Sequence, residues 1–222
     1  ADAQWSDPHY DGSGKAYLFW WTNIFAADIG ALTSATAYIA NSFADVIALP
    51  YLETPRRLSP DGGGRIRCFI HPPQTGEYTF HLAGSDDAAL YVATNQYDLP
   101  TVPTARLAAT TGFRLWRTNT PFSSLPVFLT RGQKYLCEII YAAGPTGDCV
   151  SIAWTRPGSD GAELIEGMYI SEYFRRASSS NMPIDPGVLG VVVTGSFSDI
   201  PSFASRAPID FIFADAPALE TV

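Results

Sequence analysis

Residues 76–94, GEYTFHLAGSDDAALYVAT, constrain the fold more than any other stretch, because a strand pattern runs into two adjacent carboxylates and then into a second strand pattern. Tyr78, Phe80 and Leu82 alternate with Thr79 and His81, which is the period-2 signature of a half-buried strand. Leu90 and Val92 resume the alternation after a break whose most polar residues are Ser85, Asp86 and Asp87. The spacing therefore predicts two strands with the carboxylates at the bend between them. Successive side chains of an extended backbone point to opposite faces, so Asp86 and Asp87 can serve one cation only where the backbone bends; a cis peptide between them is one way to do this. Calcium suits such a pair, since it takes 6 to 8 oxygen ligands in a loose geometry that carboxylates, carbonyls, waters or sugar hydroxyls can fill. The same Ser-Asp-Asp run is also the composition of a plain solvated turn.

The remainder of the chain supports a β-rich reading. With 18 Gly, 17 Pro and only 16% charged residues in 222, turns are frequent and charged helical faces scarce. Residues 15–22, KAYLFWWT, form an apolar aromatic run expected to be a buried strand, whereas residues 24–38 suit short mixed structure. Prolines 50, 55 and 60 and the run Asp61-Gly62-Gly63-Gly64 predict a connection over 48–64. Alternation returns over 65–71, with Ile66, Cys68 and Ile70 on one face. The polar loop 95–103 is expected beside the carboxylate bend, a short strand follows at 105–109, and residues 113–124 form another candidate rim loop. Strands over 133–142 and 149–155 are joined by a Gly-Pro-rich turn, with Val150, Ile152 and Trp154 facing the core. The sum is an all-β chain, a β-sandwich or jelly-roll-like barrel.

Several functions are disfavoured. A net charge of -8 with scattered Lys and Arg leaves no footprint for nucleic acid. No apolar run reaches the roughly 20 residues of a membrane span. No GxSxG elbow, phosphate loop or HExxH helix is present, and His9, His71 and His81 are each expected at the surface, so catalysis is not predicted. Cys68, Cys137 and Cys149 all lie in apparent strands, which allows one internal disulfide and leaves one thiol over, or burial as small apolar residues. An Ala-Asp-Ala start suits a secreted, extracellular chain whose leader has been removed.

The segments RIRCFIHPPQTGEYTFHLAGSDDAALYV, WRTNTPFSSLPVFLTRGQKYLCEIIYAAGPTGDCVSIAW and LIEGMYISEY, in that order, resemble the protective-antigen fourteen-kilodalton (PA14) domain family, a β-sandwich module of toxins, glycosidases and adhesins. The likeness spans residues 15–173. In the family's sugar-binding members, the aspartate pair matching Asp86 and Asp87 holds calcium across a cis peptide, and the ion takes vicinal glycan hydroxyls. The resemblance thus implies a non-catalytic, calcium-dependent carbohydrate-binding or adhesion module with Ca2+ at Asp86 and Asp87. Tyr97, Trp116 and Asn119 are candidate ligand contacts, the two aromatics through stacking on sugar rings. Asp148 matches the family's turn aspartate and either faces the ion or caps the turn. Other members are structural, which leaves open a surface-assembly subunit.

Residues 174–222 lie beyond the resemblance. Strand patterns at 188–195 and 207–213 are separated by a proline-punctuated loop. Two strands cannot bury a core of their own, so they either fold back on the sandwich or pair with another subunit or domain. The expected organisation is a PA14-like sandwich with an N-terminal arm over 1–173 and a C-terminal linker with extra strands over 174–222.

Overall fold

The computed structural model describes residues 14–24, 28–56, 61–84, 86–107, 109–116, 121–144 and 149–173. In chain order these contain β1 (Ala16–Trp21), α1 (Ile29–Ser34), α2 (Thr36–Ile39), β2 (Asp45–Leu49), β3 (Gly62–Ile70), β4 (Gly76–Gly84), β5 (Asp87–Val92), β6 (Ala105–Leu107), β7 (Val127–Leu129), β8 (Tyr135–Ala143), β9 (Val150–Thr155), β10 (Glu163–Leu164), a single 3-10 turn (Gly167–Tyr169) and β11 (Ile170–Glu172). The expected N-terminal arm and C-terminal strands fall outside the described residues.

The strands form an all-β sandwich of two antiparallel sheets. One has the order β2-β1-β3-β8-β5-β6, with β11 sharing the β1 edge of β3, and the other has the order β10-β9-β4-β7. The alternating apolar residues meet between them. Ile66, Ile70, Leu90 and Ile139 of the first sheet share one core with Tyr78, Phe80, Leu82, Ile152 and Trp154 of the second, all fully buried. At roughly 1.5 to 3 kcal/mol per buried large side chain, this layer supplies the main favourable contribution to folding.

Two departures from the sequence expectations have packing causes. The glycine run 62–64 is the start of β3 rather than a connection. A Cβ on Gly62 would lie 2.4 Å from the Trp21 carbonyl oxygen, one on Gly63 2.6 Å from the Leu32 side chain, and one on Gly64 2.5 Å from Leu18 and 2.6 Å from the Tyr141 ring. The glycines are there because large neighbours on both faces fill the space that side chains would take, and Trp20 and Tyr141 approach with their ring centres 5.8 Å apart. The strand β2, whose exposure is mixed, carries no clear alternation in the sequence.

The second departure with a packing cause concerns the histidines, expected at the surface, of which His71 and His81 are buried. His81 is only 2% exposed, because the segment around Ser123 bridges across it; its Nδ1 lies 2.6 Å from the Ser123 hydroxyl and its Nε2 2.8 Å from the Thr155 hydroxyl. His71 is also buried, with Nε2 2.7 Å from the Ser171 hydroxyl of β11. Alternation placed His81 on the outer face correctly, but it carries no signal for a later segment folding over that face. His9 lies outside the described residues. Among the described residues, no helix is long and apolar enough to cross a membrane.

Candidate functional site: the sheet-switching rim

The chain passes from one sheet to the other twice at the same end of the sandwich. The first crossing leaves β4 at Gly84 and enters β5 at Asp87; the second leaves β8 at Ala143 and enters β9 at Val150. The register brings these corners together, since Gly84 pairs with Val150 and Asp87 with Ala142. Gly84 is required by this approach: a Cβ there would sit 2.1 Å from the Cys149 carbonyl oxygen. Asp86 makes the first turn with φ of 63°, a left-handed conformation that aspartate tolerates better than most residues.

The two carboxylates serve different partners. Asp86 Oδ2 accepts the Gly144 N–H at 2.8 Å, tying the first corner to the second, and the Asp86 N–H donates to the Thr110 hydroxyl at 3.3 Å. The Thr111 hydroxyl accepts the Gly84 N–H at 3.0 Å, and the Thr111 N–H donates back to the Gly84 carbonyl at 2.9 Å, so residues 110–112 run along the bend as a third wall. Asp87 points to the outer face of the larger sheet. Its Oδ1 accepts Arg106 Nε at 3.2 Å, and its Oδ2 accepts Arg106 Nη2 at 3.0 Å and the Ile29 N–H at 3.1 Å. Asp87 raises the Arg106 pKa above its ordinary value, first through the hydrogen bonds and then through its charge.

Arg106 sits opposite Ala89 in the β5–β6 register, and Asp87 shares the Ala89 face two residues away. Diagonal neighbours of this kind lie about 7–8 Å apart at the backbone, within reach of a long side chain. The pair is thus a consequence of register. The Arg106 side chain is 55% exposed and that of Asp87 14%, and with the cation facing solvent such a fork contributes about 0–1 kcal/mol.

Trp116 belongs to this end of the sandwich. Its indole Nε1 donates to the Ser151 carbonyl at 3.2 Å, and Ser151 pairs with Ala83, next to Gly84. Close by, Arg114 grips Glu53 with two hydrogen bonds of 2.6 and 2.8 Å, and Glu53 bridges to Ser151. Tyr97 does not belong here, which corrects the placing of the 95–103 loop beside the bend. The Asn95 carbonyl accepts the Leu136 N–H at the start of β8, whereas the aspartates meet its far end at Ala142 and Gly144. At roughly 3.4 Å per strand residue, the two places are on the order of 25 Å apart. Asn119 and Asp148 lie outside the described residues.

No family model matches the chain, and no curated protein matches its sequence. Solved structures do match its fold. The A domain of epithelial adhesin 9 from Candida glabrata, in complex with Galβ1-4GlcNAc, is similar at a TM-score of 0.52 and 8% identity, over 75% of this chain and 92% of that one. The PA14 domain of the antifreeze protein MpAFP is similar at a TM-score of 0.51 and 13% identity, over 78% of this chain and 97% of that one. The chain has the fold of a PA14 domain.

The PA14 resemblance implies calcium at the aspartate pair, and the rim residues can be tested for their fit to that ion. Asp86 fits: its Oδ1 has no hydrogen bond to a described residue, and the side chain is half-buried at an accessible corner. Asp87 fits on one condition, because both its oxygens are in the Arg106 fork and Oδ2 also accepts the Ile29 N–H, so that only Oδ1 keeps a lone pair unused by the described residues. No third acidic, histidine or cysteine side chain joins them among the described residues, so further oxygen donors would be carbonyls, waters or ligand hydroxyls.

Sequence reasoning missed Arg106, Thr110, Thr111 and Gly144 as members of the PA14 rim. Each contributes through a contact more than 20 residues away or through a backbone N–H, neither of which has a local sequence signature; the exception is Arg106, whose separation from Asp87 is shorter but depends on register.

Proposed function

We propose that this chain is a non-catalytic, extracellular carbohydrate-binding and adhesion module whose rim at Asp86 and Asp87 takes calcium and a glycan together. The observation that carries the reading is the corner itself. Two adjacent carboxylates stand where the backbone turns from one sheet to the other, one of them with an oxygen free of hydrogen bonds to described residues, on a fold similar to an adhesin A domain determined with a galactose-containing disaccharide. Asp86 and Asp87 would hold the ion, which would supply open coordination positions to vicinal hydroxyls. The chain's own part is to orient the carboxylates. Gly144 N–H and the 110–112 segment fix Asp86, and the α1 N–H of Ile29 fixes Asp87. Arg106 is a resident cation at the same carboxylate, so calcium entry at Asp87 requires the fork to open, a step kept small by the exposure of the Arg106 side chain.

A glycan array probed with calcium, with chelator, and with Asp87→Ala tests the proposal. Binding that needs calcium and is lost in Asp87→Ala is the expected result. Binding that survives both treatments removes the aspartates from the site, and an array blank under all conditions refutes the lectin reading.

A further inference from the structure

Cys68 and Cys137 face one another across the centre of the larger sheet. They are register partners in the β3–β8 ladder, and both side chains are fully buried on the core face. Directly opposed residues of an antiparallel pair have Cα atoms about 4.5–5.5 Å apart, inside the roughly 4.4–6.8 Å that a disulfide spans. Their Cβ atoms, about 4.5–5.5 Å apart in such a pair, need to close by roughly 1 Å to reach disulfide geometry. Cys149 has a different position: it is half-buried on the rim corner outside the ladder, at least six strand residues, or roughly 20 Å, beyond Cys137.

We propose that Cys68 and Cys137 are a disulfide-forming pair, closed by exchange with a small or protein disulfide donor such as glutathione disulfide, while Cys149 remains a thiol. The Cys137 thiolate attacks one sulfur of the donor and releases one thiol. The Cys68 thiolate then attacks the Cys137 sulfur of the mixed disulfide and releases the second, so the pair loses two electrons and two protons and the donor is reduced to two thiols. Burial, and then the adjacent Cys68 sulfur, push the Cys137 thiol above its ordinary pKa, which keeps thiolate scarce in the folded interior. Exchange therefore takes place as β3 and β8 come together during folding. Because the bridge joins strands far apart in sequence, it restricts the unfolded chain strongly.

The full chain, reduced and denatured, would be refolded with a glutathione/glutathione-disulfide pair, then denatured and alkylated with a maleimide. One alkylated thiol at Cys149, a mass lower by two hydrogens, and a linked peptide pair containing Cys68 and Cys137 are expected. Cys149→Ser treated identically should show no alkylated thiol. The oxidised protein should melt higher than the reduced one by roughly 5–15 °C. Three alkylated thiols after refolding, a bridge through Cys149, or two thiols in Cys149→Ser would each overturn the proposal.

Discussion

The two ends of the sandwich look equally site-like in composition and are built in opposite ways. At one end, the Asp86–Asp87 corner is assembled from five separate stretches: the β4–β5 bend, the 110–112 segment, Gly144 after β8, Arg106 of β6 and the first turn of α1. At the other, the Asn95–Asp98 turn is held largely by itself, with Asn95 Oδ1 accepting the N–H groups of Tyr97 at 2.7 Å and Asp98 at 2.8 Å, and Gln96 Nε2 donating to the Tyr97 hydroxyl. Polar residues at a self-contained turn satisfy their own backbone. Where distant segments converge on carboxylates, the geometry is fixed by the fold, and pre-set geometry is what a binding site needs. Convergence, more than polarity, separates the candidate site from a solvated loop.

The harshest way to break the contrast is to push the two sheet-switching corners apart. Gly84→Ala places a methyl group 2.1 Å from the Cys149 carbonyl oxygen, on backbone that cannot move aside without shifting the start of β9. Overpacking of this kind typically costs about 1–3 kcal/mol. The urea midpoint should fall with the slope unchanged, and calcium-dependent glycan retention should fall with it. A variant with the parental midpoint would mean that the corners are not held together as described.

How much of this was legible in advance follows from where the information sits. The strands with strict alternation, such as Tyr78-Phe80-Leu82 and Val150-Ile152-Trp154, were legible because burial on one face imprints a period of two on the sequence itself. The glycine start of β3 was not, since the residues that demand glycine there, Leu18, Leu32, Trp20 and Tyr141, come from other elements. The aspartate bend was legible as a break in alternation. What the aspartates touch was not, because Arg106 is set by register and Gly144 and Ile29 take part through backbone N–H groups that any residue but proline carries. The same reason moved Tyr97: a loop that follows β5 in sequence is at the opposite end of that strand from its start.

A smaller change sharpens the account of the charged end. Arg106→Ala removes a guanidinium bonded to both Asp87 oxygens and leaves the Ile29 N–H in place. Because the Arg106 side chain that is removed is more than half exposed, global stability should change by no more than about 1 kcal/mol. Calcium affinity should rise by roughly tenfold or more, since two unit charges 4 Å apart repel by about 1 kcal/mol even in bulk water and a divalent ion doubles that to about 2 kcal/mol. Isothermal titration of metal-free protein reads this directly. Equal or weaker binding in Arg106→Ala would show that the guanidinium does not compete for Asp87.

The smallest effect is expected at the far end. Tyr97 is 72% exposed, and the turn that presents it is held by Asn95 Oδ1 and the Tyr97 and Asp98 N–H groups, none of which requires the phenol ring. Tyr97→Ala therefore removes one side-chain hydrogen bond, to Gln96, and leaves the backbone unchanged. Stability should stay within about 0.5 kcal/mol of the parent, as for surface substitutions without a special role. Glycan retention should also be unchanged, because the ring is a strand's length from Asp86 and Asp87 and no single sugar residue reaches both. Surface plasmon resonance of the parent and Tyr97→Ala against the same immobilised glycan gives the comparison. Loss of retention in Tyr97→Ala, with the thermal midpoint intact, would place the sugar contact at the self-contained turn and leave the convergent end without the role proposed for it.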